Sequence, residues 1–137
     1  MSLSLWMLLA FACWTLLVLL VGVGMRRWLL ILQGRAALTS FPGDTPNGSQ
    51  AYRRAMRAHA NCVENLPVFG AIVLVAAFAH RISHTMDVLA AAFMTARIIQ
   101  SSIHMALPET NATIAMRFSF FLIQIVAMTV MAVQIAM

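Results

Sequence analysis

The chain contains no lysine, and only 9% of its 137 residues are charged. A soluble domain carries about 25% charged residues, so a water-covered globule is excluded. Acidic residues number only 4 and tyrosine occurs once. The two cysteines, Cys13 and Cys62, have no partner at a disulfide-like or zinc-like spacing, and both read as free thiols. His59 lies three positions before Cys62, but two weak ligands make no metal site, and none is expected. What the chain has in abundance is apolar surface, with 62% hydrophobic residues and a mean hydropathy of +0.88. The composition is that of an all-α integral membrane protein, and four spans of about 20 residues use up its length as one bundle. The net charge of +5 comes entirely from arginine. Those arginines sit at helix ends and inside apolar runs, so no soluble basic face exists to bind nucleic acid.

Spans are expected at about 3–26, 52–80, 86–107 and 114–137, in a single domain covering residues 1–137. Leu3 to Met25 is continuously apolar and is followed, not preceded, by Arg26 and Arg27. A cleaved signal peptide has its charge before a shorter apolar core, so this run reads as a span, with a helical pattern extending toward Arg35. Pro42, Gly43, Asp44, Pro46 and Gly48 mark a loop over about 38–51,, and Tyr52 is placed in it. His80, Arg81, Ser83 and His84 form the second turn; Pro108, Glu109, Thr110 and Asn111 form the third, with Thr113 as N-cap. Arginine crowds the first loop, whereas the opposite side has only Arg81. The positive-inside rule therefore puts that loop in the cytoplasm.

The polar chemistry gathers in Arg53–Phe69, RRAMRAHANCVENLPVF. Arg57, Asn61 and Glu64 are spaced i, i+4, i+7 and share one helix face, with Arg54 a turn earlier,. Arg97, Gln100 and His104 repeat the pattern on the third span, and Arg117, Phe121, Gln124 and Met128 on the fourth. At 1.5 Å per residue, Glu64 and Arg97 both lie about 15–16 Å from the cytoplasmic side. They are expected to meet near the bilayer midplane. Ionisable groups there cost about 2.5–3.5 kcal/mol each and mark functional sites by default. Each residue also has a plainer reading. Arg57 and Arg117 suit interfacial arginines that snorkel, and Asn61 suits helix-packing glue. Arg97 suits a structural ion pair with Glu64, and His104 an interfacial residue. The methionines read as packing or lipid-facing, and Gly22 and Gly24 as points of close helix contact. The three stripes together outweigh these separate readings.

RAMRAHANCVENLPVF resembles the signature of the MAPEG family, the membrane-associated proteins in eicosanoid and glutathione metabolism. The match rests on Arg57-Ala58-His59, Asn61, Glu64-Asn65, Pro67 and Phe69, with Phe41-Pro42 in the first loop and an arginine in each of spans three and four. The resemblance implies a homotrimer of four-transmembrane-helix bundles, with sites at subunit interfaces that open toward the cytoplasm. It implies glutathione as co-substrate and a lipophilic second substrate arriving from the bilayer. By motif, Arg57, Asn61 and Glu64 match the span-two glutathione contacts, and Arg54 and Gln100 join them in the binding set. Arg97 matches the arginine paired with the deep glutamate. Arg117 matches the catalytic arginine that stabilises the thiolate, and His104 falls about where several eukaryotic members have tyrosine. Arg35 corresponds loosely to an arginine at the end of helix one. Ala60 stands where some members carry another arginine, and Phe121 where a tyrosine hydroxyl is often found. The expected activity is a glutathione-dependent transferase or peroxidase in a bacterial inner membrane. Two other readings remain: a binder of an anionic lipid or metabolite on the same fold, and a small transporter gated by Glu64 and Arg97.

Overall fold

In a computed structural model, residues 1–42 and 47–137 are described. Gly43, Asp44 and Pro46 of the expected loop lie outside the described residues. Among the described residues, four helices are long and apolar enough to cross a bilayer: α1 Leu3–Leu32, α2 Gln50–Phe78, α3 His84–Ala106 and α4 Asn111–Ala136. A short 3-10 turn, Leu38–Ser40, lies in the first connection.

Each helix starts on a hydroxyl that replaces a missing backbone partner. The hydroxyl oxygens of Ser2, Ser49, Ser83 and Thr110 accept from the N–H groups of Leu5, Tyr52, Met86 and Thr113. Thr110 is thus the N-cap of α4. Thr113, expected in that role, instead lies inside the first turn, where its hydroxyl accepts from the Thr110 N–H at 2.8 Å. Its two-sided bonding closes a capping box,. Tyr52, expected in the loop, lies in the first turn of α2 and is buried.

The helix α1 outruns the span at 3–26 and reaches Leu32 through a π-helical stretch at Val18–Gly24. An i→i+5 stretch widens the helix and rotates the turns beyond it. Here it brings Gly22 against α2, where an added Cβ would lie 3.1 Å from the Ala55 Cβ. Gly24, also expected to permit close contact, would meet only the Leu19 carbonyl of its own helix.

On α2 the core-facing side is Ala55, Ala58, Cys62, Phe69, Val73 and Ala76. Those spacings of three, four and seven are one helical stripe, and small residues at its start let neighbours approach closely. The bundle centre is aromatic. Phe69 and Phe93 stack with centroids 4.0 Å apart, and Phe11 meets them edge-on at 6.1 and 5.3 Å,. Met86, Met94, Met128 and Met131 complete the core, while Met116 and Met137 are exposed.

One end is tied by Asp87, whose Oδ1 accepts from both the Ser4 N–H at 2.7 Å and the Ser4 hydroxyl at 2.6 Å. The Arg81 guanidinium donates to the Ile135 carbonyl at that end. Arg26, Arg27, Arg54, Arg57 and Arg117 lie toward the other end. Both described cysteines are free thiols.

Candidate functional site

The stripes of α3 and α4 meet as their spacing requires. Arg97, Gln100 and His104 are all buried on α3. Gln124 of α4 donates to Gln100 Oε1 at 2.9 Å, and Gln100 Nε2 donates to the Arg117 carbonyl at 3.1 Å. Arg117 Nη1 lies 2.9 Å from His104 Nδ1. A guanidinium can only donate, so this ring nitrogen accepts. Arg117 is therefore held, by its backbone and its side chain, from two successive turns of α3.

Asn61, Gln100, His104 and Arg117 line one open cavity of about 270 Å³, together with Ile114, Phe118 and Phe121. One wall is amide, imidazole and guanidinium; the other is aromatic and aliphatic. Phe118 is 64% exposed, so that wall faces out of the single chain.

A second hollow of about 380 Å³ is lined by Gln50, Arg53, Arg54, Arg57, Pro108 and Glu109. Arg54 Nε donates to the Met105 carbonyl at 3.4 Å. Arg57 Nη1 donates to Glu109 Oε1 at 2.7 Å, and Arg117 Nη1 stands 3.8 Å from the same oxygen. Glu109 thereby links the two hollows. In the sequence it was only a turn residue, and nothing in its spacing marked it; the signal was its place between two arginine-bearing spans.

Glu64 and Arg97 do not pair. The ion pairs among the described residues are those of Glu109 with Arg57 and with Arg117. The reason is azimuth. Cys62 is fully buried, and Glu64, two residues on, lies about 200° around the helix on an exposed face. Arg97 turns inward instead and is 1% exposed. Its guanidinium lies 5.5 Å from the Phe11 ring centroid and 5.9 Å from that of Phe93, a desolvated cation–π arrangement. Its Nη1 donates to the Asn61 carbonyl at 3.4 Å, while Nε and Nη2 have no partner. Arg97 thus stands behind Asn61 and lines neither hollow. Of the expected binding residues, the structure brings Asn61, Gln100, His104 and Arg117 to one cavity and Arg54 and Arg57 to the next. Glu64 faces out of the single chain. Arg35 is exposed beyond the end of α1.

The chain matches the family model of the MAPEG family over residues 4–137. The protein is a member of the MAPEG family. Together with four bilayer-length apolar helices, membership makes it an integral membrane protein of a glutathione-related family. No curated protein and no solved structure matches the chain. The MAPEG signature residues on α2 divide between two jobs. Asn61 and Arg57 reach the hollows, while Phe69 belongs to the aromatic centre. Pro67, inside α2, removes one backbone donor, which a helix packed among others tolerates.

Proposed function

We propose that this MAPEG protein is a glutathione-dependent transferase or peroxidase acting on lipophilic electrophiles or lipid hydroperoxides. The observation that carries the reading is the single cavity with a cationic wall, Arg117 held by His104, opposite an apolar wall of Ile114, Phe118 and Phe121. Glutathione offers two carboxylates, an amine and a thiol. Arg54 and Arg57 suit the carboxylates through charge-assisted bonds. Asn61 and Gln100 supply neutral donors and acceptors, and Glu64 suits the amine. Arg97 acts through Asn61, holding that turn of α2. A cation beside a thiol favours the thiolate, and Arg117 is the cation at the cavity. The thiolate then attacks an electrophilic carbon and forms a C–S bond as the leaving group departs with its electron pair. With a hydroperoxide, sulfur takes the outer oxygen and a second glutathione completes the disulfide, releasing an alcohol and water.

Glu64 also supports a homotrimer. In the single chain it is an exposed carboxylate in mid-span, on a face shared with the exposed Val63 and Val68. A carboxylate facing lipid is costly, and a second copy seated there covers it and brings it to the ligand. The arginine-rich end faces the cytoplasm of a bacterial inner membrane in this reading, following the positive-inside bias.

The test is Arg117→Ala, assayed with glutathione plus an aryl halide and plus an organic hydroperoxide. Turnover falls about 100-fold or more, the scale of losing one stabilising group at developing charge, while the glutathione Kd shifts by much less. Equal losses in both would count against the thiolate role. Phe121 favours a second reading, because it gives the cavity a ring without a hydroxyl: a binder that holds an anionic lipid or metabolite without chemistry. Saturable glutathione binding with no turnover on either substrate class would establish that reading instead. A transporter finds no support, since Phe11, Phe69 and Phe93 fill the centre of the bundle.

A further inference from the structure

The geometry points to Glu109 as a resident competitor: its carboxylate occupies the anion seat between Arg57 and Arg117, and an anionic ligand must displace it. The inference rests on the proposed glutathione reading for its ligand, but the occupancy itself stands on the contacts. One oxygen, Oε1, receives Arg57 Nη1 at 2.7 Å and lies 3.8 Å from Arg117 Nη1. These two arginines come from different helices, and Glu109 alone spans the gap between them among the described residues. The position is that of a ligand carboxylate, held between an arginine of one hollow and an arginine of the other.

The backbone beneath it is fixed. Thr113 Oγ1 donates to the Pro108 carbonyl at 2.8 Å and accepts from the Thr110 N–H, also at 2.8 Å. The turn therefore stays in place while the Glu109 side chain rotates. That rotation is cheap, because the Glu109 and Arg57 side chains are 41% and 54% exposed, and exposed pairs hold weakly. Glu109 thus sets how strongly an anion must bind to enter. It also keeps the two cations apart from casual anions and from one another's repulsion when the seat holds no ligand. A ligand with a paired amine and carboxylate competes better than a bare inorganic anion, because it gains contacts elsewhere while displacing Glu109.

The test uses the full-length protein in detergent as wild type, Glu109→Gln and Glu109→Asp. Glutamine removes the charge at the same size. Aspartate keeps the charge and, one methylene shorter, loses the reach to both arginines. Two readouts are taken: the glutathione Kd by calorimetry, and the phenylglyoxal modification rates of Arg57 and Arg117 by peptide mass spectrometry, with Arg53 as internal reference. Displacement predicts that both variants bind glutathione about two- to fivefold more tightly, the range an exposed ion pair covers. It also predicts that Arg57 and Arg117 react faster in both variants while Arg53 does not. Tighter binding in Glu109→Gln with Glu109→Asp like wild type would mean a long-range field effect and overturn occupancy. Faster modification without tighter binding would overturn competition. If no variant binds glutathione, the functional reading fails, and the modification rates alone decide: faster at both arginines supports the occupied seat, and unchanged rates overturn it.

Discussion

Arg97 shows how a side chain can be central to a bundle and peripheral to its site. It is the largest of the fully buried side chains, packed against two phenylalanine rings with two donors unpartnered. A buried charge with no counter-ion and unmet donors carries a desolvation cost that an apolar side chain of similar volume does not. Arg97→Met is therefore expected to leave the thermal midpoint in detergent unchanged or higher, and to weaken glutathione far less than Arg57→Ala does. A large drop in midpoint would mean the cation–π contacts outweigh the missing hydrogen bonds. The spacing of Arg57, Asn61 and Glu64 was enough to put them on one face, but spacing carries no azimuth. That face points partly outward, because Ala55, Ala58 and Cys62 take the core. For α3 and α4 the same reasoning found the contacts, since their stripes had each other to meet. Arg117 and Gln124 are the residues that made it so. Glu109 and Tyr52 were missed for opposite reasons. Glu109 lies in a turn with no period to read, and Tyr52 lies just past the loop signals yet packs under Arg26 and Arg27. Its hydroxyl also accepts from Arg27 Nε.

At the scale of elements, the π-helical stretch of α1 decides how the arginine-bearing end is built. Nothing in VLLVGVG announces it, because the run is apolar throughout and its period is hidden. Its consequence is local: Gly22 lets α1 lie against α2 beside Ala55, where a Cβ would sit 3.1 Å away. Gly22→Leu is expected to cost about 1–3 kcal/mol through overpacking, read as a lower thermal midpoint. Gly24→Leu is the control, since no other helix lies within reach of its added Cβ, and it should leave the midpoint near wild type. A tolerated Gly22→Leu would mean that α1 is free to slide. The opposite end is held by Ser4 and Asp87, so α1 is pinned at one end by hydrogen bonds and seated at the other by a glycine.

For the whole molecule, the four-span all-helical architecture was legible because bilayer thickness fixes helix length, and family membership over residues 4–137 agrees with it. The surface that one chain leaves exposed is informative in turn. Glu64 at mid-span needs a cover, and the proposed homotrimer supplies one. Native mass spectrometry in mild detergent should find three copies, with Glu64→Arg shifting the population toward monomer by placing a longer side chain of opposite charge at the contact. A monomer for the wild type would leave Glu64 facing lipid and remove the support it gives to a shared site.

Arg117, held on His104, is the group proposed to make glutathione a thiolate, and on that step the enzymatic reading stands. Ultraviolet difference absorbance on adding glutathione to the purified protein measures it directly. The expected result is a saturable thiolate band that disappears in Arg117→Ala while glutathione still binds. Binding without any thiolate band in the wild type would contradict it and leave a MAPEG protein that holds its ligand without activating it.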